Sequence, residues 1–492
     1  MSNQRQQLQQ QSRSGNRMTL VSQMIRLACK AVTVVVMARL VPPGEHGLYV
    51  MAASFVVILY LARDMGLGAL AVQSANFSTG QLNSLFRTLV ALAIGLAALT
   101  FTAAPGIAAF YRTPEVAGLV RWLALLFPLT ALGGVSRVVL TREMRLATIA
   151  RIETVSTVLA TGLMIIAGLR GAGALSFAIF WLANEAINTV GFAWCARWRP
   201  AMNSSGSLRI HWRQGGTLTA QTVLQFLVSQ LDGILIGRWL GAAPAGLYAR
   251  AAQIMKLPAQ HVAIPLAGIM TSTLARCKDQ PTAFRNHATS SFRLGAWLVL
   301  PGLGLLAALP EPAVRLLLGT DWLASAAFVP WLALAAGCAA INHPLSGLAL
   351  ATGRMPRMLV TVLIELPLLA GAITWGAQFD AVGIAAAVAM FQAATLLPRL
   401  AWVTAGSLVT IGPILTSIIP PSVFTGCLGA AALLGRWADG WGSQLAIGFA
   451  SAAIVGVILL AGLGFFRDSA ELALSELKSR RQSGDHPSAQ SG

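Results

Sequence analysis

Residues 38–53, ARLVPPGEHGLYVMAA, align without a gap over residues 237–252, GRWLGAAPAGLYARAA. The alignment matches Arg39 to Arg238, Gly47-Leu48-Tyr49 to Gly246-Leu247-Tyr248, and Ala52 to Ala251. The chain holds only 4 tyrosines, and two of them fall in the same triplet at equal distance from an arginine, the pattern of a duplication. A plainer reading, in which Arg-x7-Gly is a helix end followed by a turn, stays open because such turns recur in any polytopic chain. About six apolar segments separate the copies, so both run in the same direction through whatever they span. A parallel repeat of two six-helix lobes follows.

Composition says what is spanned. Of 492 residues, 56% are hydrophobic and 11% charged, with a mean hydropathy of +0.68. Soluble domains carry about 25% charged residues. At roughly 30 to 40 residues per span and loop the chain accommodates about 12 to 16 transmembrane helices and no separate soluble catalytic domain. Apolar runs near 20–41, 47–62, 87–110, 119–140, 149–169, 174–196, 215–240, 246–270, 291–309, 323–348, 358–377, 382–402, 411–435 and 443–466 predict an all-α polytopic protein of about 14 transmembrane helices. The expected organisation is an N-tail (1–18), an N-lobe of helices 1–6 (19–200), an inter-lobe loop (201–214), a C-lobe of helices 7–12 (215–402), helices 13–14 (403–466) and a C-tail (467–492). The Gln-rich N-tail carries no small-residue cleavage site and reads as disordered.

Charge fixes the orientation. With the N-terminus inside, the cytoplasmic loops and tails collect Arg63, Arg87, Arg137, Arg142, Arg145, Arg197, Arg199, Arg276, Lys278, Arg354, Arg357, Arg399 and the basic C-tail, while the opposite loops hold Arg112, Arg170, Arg315 and Arg436. Both termini are therefore expected in the cytoplasm. The same bias accounts for most of the net charge of +18 without nucleic acid. Five cysteines lie scattered without metal-type spacing, the histidines show none either, and no Gly-rich loop ends in Gly-Lys-Ser/Thr. Neither metal nor cofactor is expected, and ATP-driven transport by this chain is disfavoured.

VVMARLVPPGEHGLYVMAASF with RDMGLGALAVQS (63–74), and SQLDGILIGRWLGAAPAGLYARAAQIMKLPAQHVAIPLAGIMTSTLAR (229–276), resemble lipid-linked oligosaccharide flippases of the Wzx type, closest to the lipopolysaccharide and exopolysaccharide exporters. The second stretch carries the family's diagnostic order at Asp232, Ile236-Gly237-Arg238, Gly246-Leu247-Tyr248 and Pro258. The resemblance covers roughly residues 18 to 400 and weakens over the last two helices. It implies two bundles around a central cavity, alternating access, and a polyprenyl-pyrophosphate-linked (undecaprenyl) oligosaccharide carried from the cytoplasmic to the periplasmic leaflet of a bacterial inner membrane. Partners implied are the lipid bilayer, the substrate lipid, and the polymerase and chain-length machinery of the same pathway.

Charges at membrane depth are costly and point to function. Arg26 and Lys30 share one face of the first span, roughly 20 Å and 14 Å from its Arg39 end at about 1.5 Å per residue. Arg250 and Lys256 belong to the eighth. These four cations suit an anionic cargo, arginine by bidentate geometry and lysine as a compact charge; the alternative is that they snorkel to headgroups. Asp232 reads as the partner of an arginine across the cavity, and Glu365 as a coupling carboxyl. Glu185 between Asn184 and Asn188 reads as interhelical hydrogen bonding. Pro258 and Pro367 are hinge candidates. Arg39 and Arg238 are explained by helix-end charge, and only the resemblance raises them to gates. Rival functions are a multidrug or cation antiporter, which would be expected to concentrate acids rather than cations, and a polysaccharide polymerase or ligase, which needs a large periplasmic loop that is missing here. Leu472, Leu474 and Leu477 suggest a short amphipathic helix in the C-tail.

Overall fold

The computed structural model describes residues 2–63, 67–73, 78–201, 209–277 and 280–462. They form α1 (Ser2–Leu40), α2 (Pro43–Ala62), α3 (Leu67–Gln73), α4 (Thr79–Tyr111), α5 (Glu115–Ala124), α6 (Leu126–Arg142), α7 (Leu146–Leu169), α8 (Leu175–Ala196), α9 (Arg209–Leu240), α10 (Ala242–Pro258), α11 (Ile264–Arg276), α12 (Pro281–Ala308), α13 (Pro310–Leu317), α14 (Val329–Ala351), α15 (Met355–Gly376), α16 (Ala381–Thr404), α17 (Ile411–Ala432) and α18 (Trp441–Gly462). Local chemistry sets several ends. Pro43 and Pro281 occupy first helical positions, where their missing N–H is no loss. Ser78 and Gln81 close a reciprocal capping box on α4, and Gly241 takes φ +91 between α9 and α10. The C-tail and its amphipathic leucines lie outside the described residues. The Gln-rich N-tail falls within the stretch from which α1 runs, where Gln, Arg and Leu are good helix formers and no proline interrupts them.

Twelve helices among the described residues are long and apolar enough to cross a bilayer. They cover the predicted spans except two. In α8 the polar group Asn184, Glu185 and Asn188 lowers the hydropathy. Over the predicted span 246–270 the chain is helical throughout: α10 passes through a π-helical turn, Ala259–Ala263, directly into α11, and the 17 residues of α10 alone are too short to count as a crossing. Large apolar side chains such as Leu159, Ile166, Leu363, Ile364, Val457 and Ile458 are exposed, as lipid-facing residues are.

Cα packing divides the chain into two compact units: residues 1–254, 314–328 and 356–394, and residues 255–313, 329–355 and 395–492. The units interleave along the chain. In the first unit α1 packs on α7 around Met37, Val41, Met164 and Phe177, and α6 and α7 meet α8 around Leu140, Ile149 and Phe192. In the second, α12 packs against α14 and α17, with Trp297 against Phe424 at 4.9 Å between ring centroids. Its core joins Ala308, Leu309, Leu428, Ala432 and Ala452.

The duplicated segment has a structural meaning inside the first unit. A methyl group on Gly47 would lie 1.7 Å from the carbonyl oxygen of Ala242, and one on Gly246 would lie 2.0 Å from that of Pro43. Pro43 and Ala242 are themselves equivalent residues of the two copies. The starts of α2 and α10 thus cross in a reciprocal contact, each glycine against the partner's first helical residue, and only glycine permits so close a backbone approach.

Candidate functional site

Glu153 and Glu185 organise the polar interior of the first unit. Glu153 on α7 accepts hydrogen bonds from two arginines, Arg26 Nη1 of α1 at 2.5 Å and Arg137 Nη2 of α6 at 2.9 Å. One carboxylate thereby ties three helices together. Glu185 on α8 accepts from the Tyr60 hydroxyl of α2 at 2.8 Å. The Tyr60 ring in turn supports the Arg63 guanidinium, 3.9 Å from its centroid, and Arg63 Nη1 donates to the Tyr60 carbonyl at 2.7 Å. Ser156 donates to Asn188 Oδ1 at 2.7 Å, adding a further α7 to α8 link.

Arg63 and Arg137 line one cavity of about 480 Å³. Leu89 and Ala93 of α4 and Phe127, Ala131 and Val138 of α6 form its apolar wall, with Thr130 and Thr141 also on the lining. Two guanidinium groups beside hydrocarbon make an amphipathic receptor: the charges match a phosphate or carboxylate, and the walls match an alkyl chain. Neither arginine sits there loosely, since Glu153 orients one and the face of Tyr60 the other.

A second cluster gathers at the α2 and α10 crossing. Arg250 is 1% exposed, and among the described residues no carboxylate lies within 4.0 Å of it. Its Nη1 donates to Gln253 Oε1 at 3.1 Å and its Nη2 lies 3.4 Å from His46 Nδ1, while Nε has no hydrogen-bond partner. Trp322 and Phe177 present their rings to it at 5.3 and 5.8 Å. Trp322 is fully buried and donates from Nε1 to the Ala38 carbonyl at 2.6 Å.

The four predicted cations are therefore differently placed. Arg26 is neutralised by Glu153, Lys30 stands half-buried one turn further along α1, Arg250 is enclosed by aromatic rings, and half-buried Lys256 falls in the second unit. Asp232, expected beside an arginine, accepts instead from the Tyr248 hydroxyl and from its neighbour Gly233 N at 2.7 Å; both acid and phenol are buried. The reason is helical register: Tyr248, the seventh residue of α10, faces back onto Asp232 of α9. Glu365 is buried on α15, which also carries Pro367. Arg39 is exposed near Gly319, and Arg238 lies 5.5 Å from the Phe110 ring. Pro258 stands where α10 gives way to the π-turn.

The sequence profile of the polysaccharide biosynthesis protein family matches residues 36–327. The chain belongs to this family. Similar curated proteins are the teichuronic acid biosynthesis protein TuaB of Bacillus subtilis, 24% identical over 69% of this chain and 71% of that one, and the lipopolysaccharide biosynthesis protein WzxC of Escherichia coli, 22% identical over 71% of each. The succinoglycan biosynthesis transport protein ExoT of Rhizobium meliloti is 26% identical over 63% of each. Among solved structures, the lipid II flippase MurJ in an inward closed conformation superposes with a TM-score of 0.73 at 13% identity, covering 92% of this chain and 99% of that one. An inward-facing multidrug resistance transporter of the MATE family gives 0.62 at 13% identity over 81% and 98%. The shared fold is that of a multi-pass membrane transporter.

Within this family member, sequence reasoning missed Glu153, Arg63, Arg137 and Tyr60 as site residues. Both arginines are among the charges the positive-inside count assigns to loops, and Glu153, inside the predicted span 149–169, is not among the acids that the reading of membrane charges weighs. A carboxyl followed by Thr154, Ser156 and Thr157 in an apolar run was the available signal.

Proposed function

We propose that this chain translocates a polyprenyl-pyrophosphate-linked oligosaccharide from the cytoplasmic to the periplasmic leaflet of a bacterial inner membrane, with both termini in the cytoplasm. The observation that carries the reading is the cavity in which Arg63 and Arg137 stand beside a hydrocarbon wall, in a member of the polysaccharide biosynthesis family with the fold of a lipid II flippase. The two arginines receive the phosphate end and the apolar wall the first isoprene units. Lys30 and Lys256 serve the charged parts of the cargo, and Glu365 is the coupling acid. Pro258 with its π-turn and Pro367 supply bending, and Arg39 and Arg238 guard the helix ends. Transport here makes and breaks no covalent bond, so the chain is a transporter and not an enzyme.

Complementation of a strain lacking its own flippase tests the proposal, scoring surface polymer and accumulated lipid-linked intermediate. Wild type restores polymer; Arg63→Ala and Arg137→Ala, at normal membrane abundance, leave intermediate on the cytoplasmic face, and Lys30→Ala and Lys256→Ala reduce export. Normal export by both arginine variants would remove the cavity from the mechanism, and failure of wild type on every lipid-linked substrate would favour the antiporter reading.

A further inference from the structure

Arg250 is the least accounted-for charge in the first unit. It is enclosed at the α2 and α10 crossing with no carboxylate within 4.0 Å among the described residues and with its Nε unsatisfied. Burying an uncompensated cation is expensive, and two ring faces at 5.3 and 5.8 Å with two long hydrogen bonds offset only part of that cost. Sequence descent does not explain the residue either, because its equivalent in the other copy is Met51, equally buried at 1% exposure. A methionine satisfies the same packing without a charge. Something other than the closed packing therefore keeps an arginine at this position.

The surroundings say what would relieve it. His46, Tyr49, Phe177 and Trp322 ring the guanidinium, with His46 5.0 Å from Phe177 and 5.8 Å from Trp322, and Tyr49 stacked on Phe177 at 4.8 Å. An arginine fork among aromatic faces is the combination that takes a sugar bearing a carboxylate: the fork binds the acid in bidentate fashion and the rings cover the apolar C–H faces. The cluster is shut by the reciprocal glycine contact of α2 and α10. We infer that Arg250 with His46, Tyr49 and Trp322 is a second anion site, specific for an acidic sugar, that opens when α2 and α10 part, so that its ligand favours the open state. This rests on the transport reading above and assigns the site to the sugar end of the cargo, away from the Arg63 and Arg137 cavity. Because the arginine is uncompensated only when closed, an acid reaching it binds the open form preferentially, which is what shifts a conformational equilibrium.

The test uses the full chain in nanodiscs with its five native cysteines replaced by serine and a reporter cysteine at Ala245, fully buried one residue before the crossing glycine. Labelling by a cationic methanethiosulfonate reports parting of the helices. Sodium glucuronate at millimolar concentration is expected to accelerate labelling about tenfold, a differential affinity of about 1.4 kcal/mol, and glucose to leave it unchanged. Arg250→Gln abolishes the response and labels more slowly than the parent, since the closed state no longer encloses a charge. Arg250→Lys, which keeps the charge but not the fork, responds weakly and carries the test should the glutamine variant not reach the membrane. No acceleration by glucuronate, equal acceleration in Arg250→Gln, or acceleration by inorganic pyrophosphate alone would each overturn the assignment. Export in the complementing strain is scored separately: a chain that responds to glucuronate yet exports nothing sinks the flippase reading and supports this site, whereas normal export of an acidic polymer by Arg250→Gln sinks the site alone.

Discussion

The two copies of the duplicated segment, at the starts of α2 and α10, keep the same backbone and different chemistry. Gly47 and Gly246 meet the opposite helix in matching contacts, and Ala52 and Ala251 are both buried. Around that scaffold the side chains have parted. Tyr49 accepts from the Trp181 indole at 2.7 Å, while Tyr248 donates to the Asp232 carboxylate; Met51 fills apolar space where Arg250 brings a buried charge. Backbone approach admits one solution, glycine, so both copies retain it. Side-chain pockets admit many, so function is free to differentiate there.

The largest expected effect breaks the shared part. Gly47→Ala and Gly246→Ala force backbone against backbone and should each cost about 3 kcal/mol, seen as a lowered melting temperature in detergent. Gly44→Ala, with nothing within 4 Å, should be neutral or raise it. If only one of the pair is destabilising, the crossing is not reciprocal. Next comes Asp232→Asn, which weakens the bond to Tyr248 and should cost about 1 to 2 kcal/mol in the same melt. Arg250→Met makes the second copy like the first; it should stabilise the fold by about 1 kcal/mol, seen as a higher melting temperature, while lowering export, and a fall in stability would mean that the arginine is a structural group. Smallest is Tyr49→Phe, about 0.6 kcal/mol for one neutral interhelical bond. Equal costs for Tyr49→Phe and Asp232→Asn would erase the distinction between the copies.

Much of the architecture was legible before any coordinates. Apolar run length predicted most of the helix positions because a bilayer demands about 20 such residues and nothing else. The exceptions are local: a π-turn after Pro258 changes the hydrogen-bond ladder of one predicted span while leaving it helical throughout, and α8 is too polar to pass by hydropathy although its polar residues face Tyr60 and Ser156. Arg26 was recognised as a charge that must be solvated, yet the solution, Glu153, is 127 residues away. Likewise Arg63 and Arg137 were counted as loop charges because topology rules score position along the chain, and a cavity between α3, α4 and α6, with Arg63 just past the end of α2, has no signature along it.

By itself the sequence determined the membrane-spanning class, the helical periodicity and the duplication, because each depends on residues close together in the chain or on composition summed over it. Tertiary structure alone decided that Glu153 neutralises Arg26, that Asp232 holds a phenol, and that Arg250 is enclosed beside His46, 204 residues away. Those pairings depend on which helix faces meet, and helix faces are chosen by packing over the whole unit. Gly47 shows both at once: its recurrence was visible in the alignment, but the reason for it is a carbonyl oxygen on another helix.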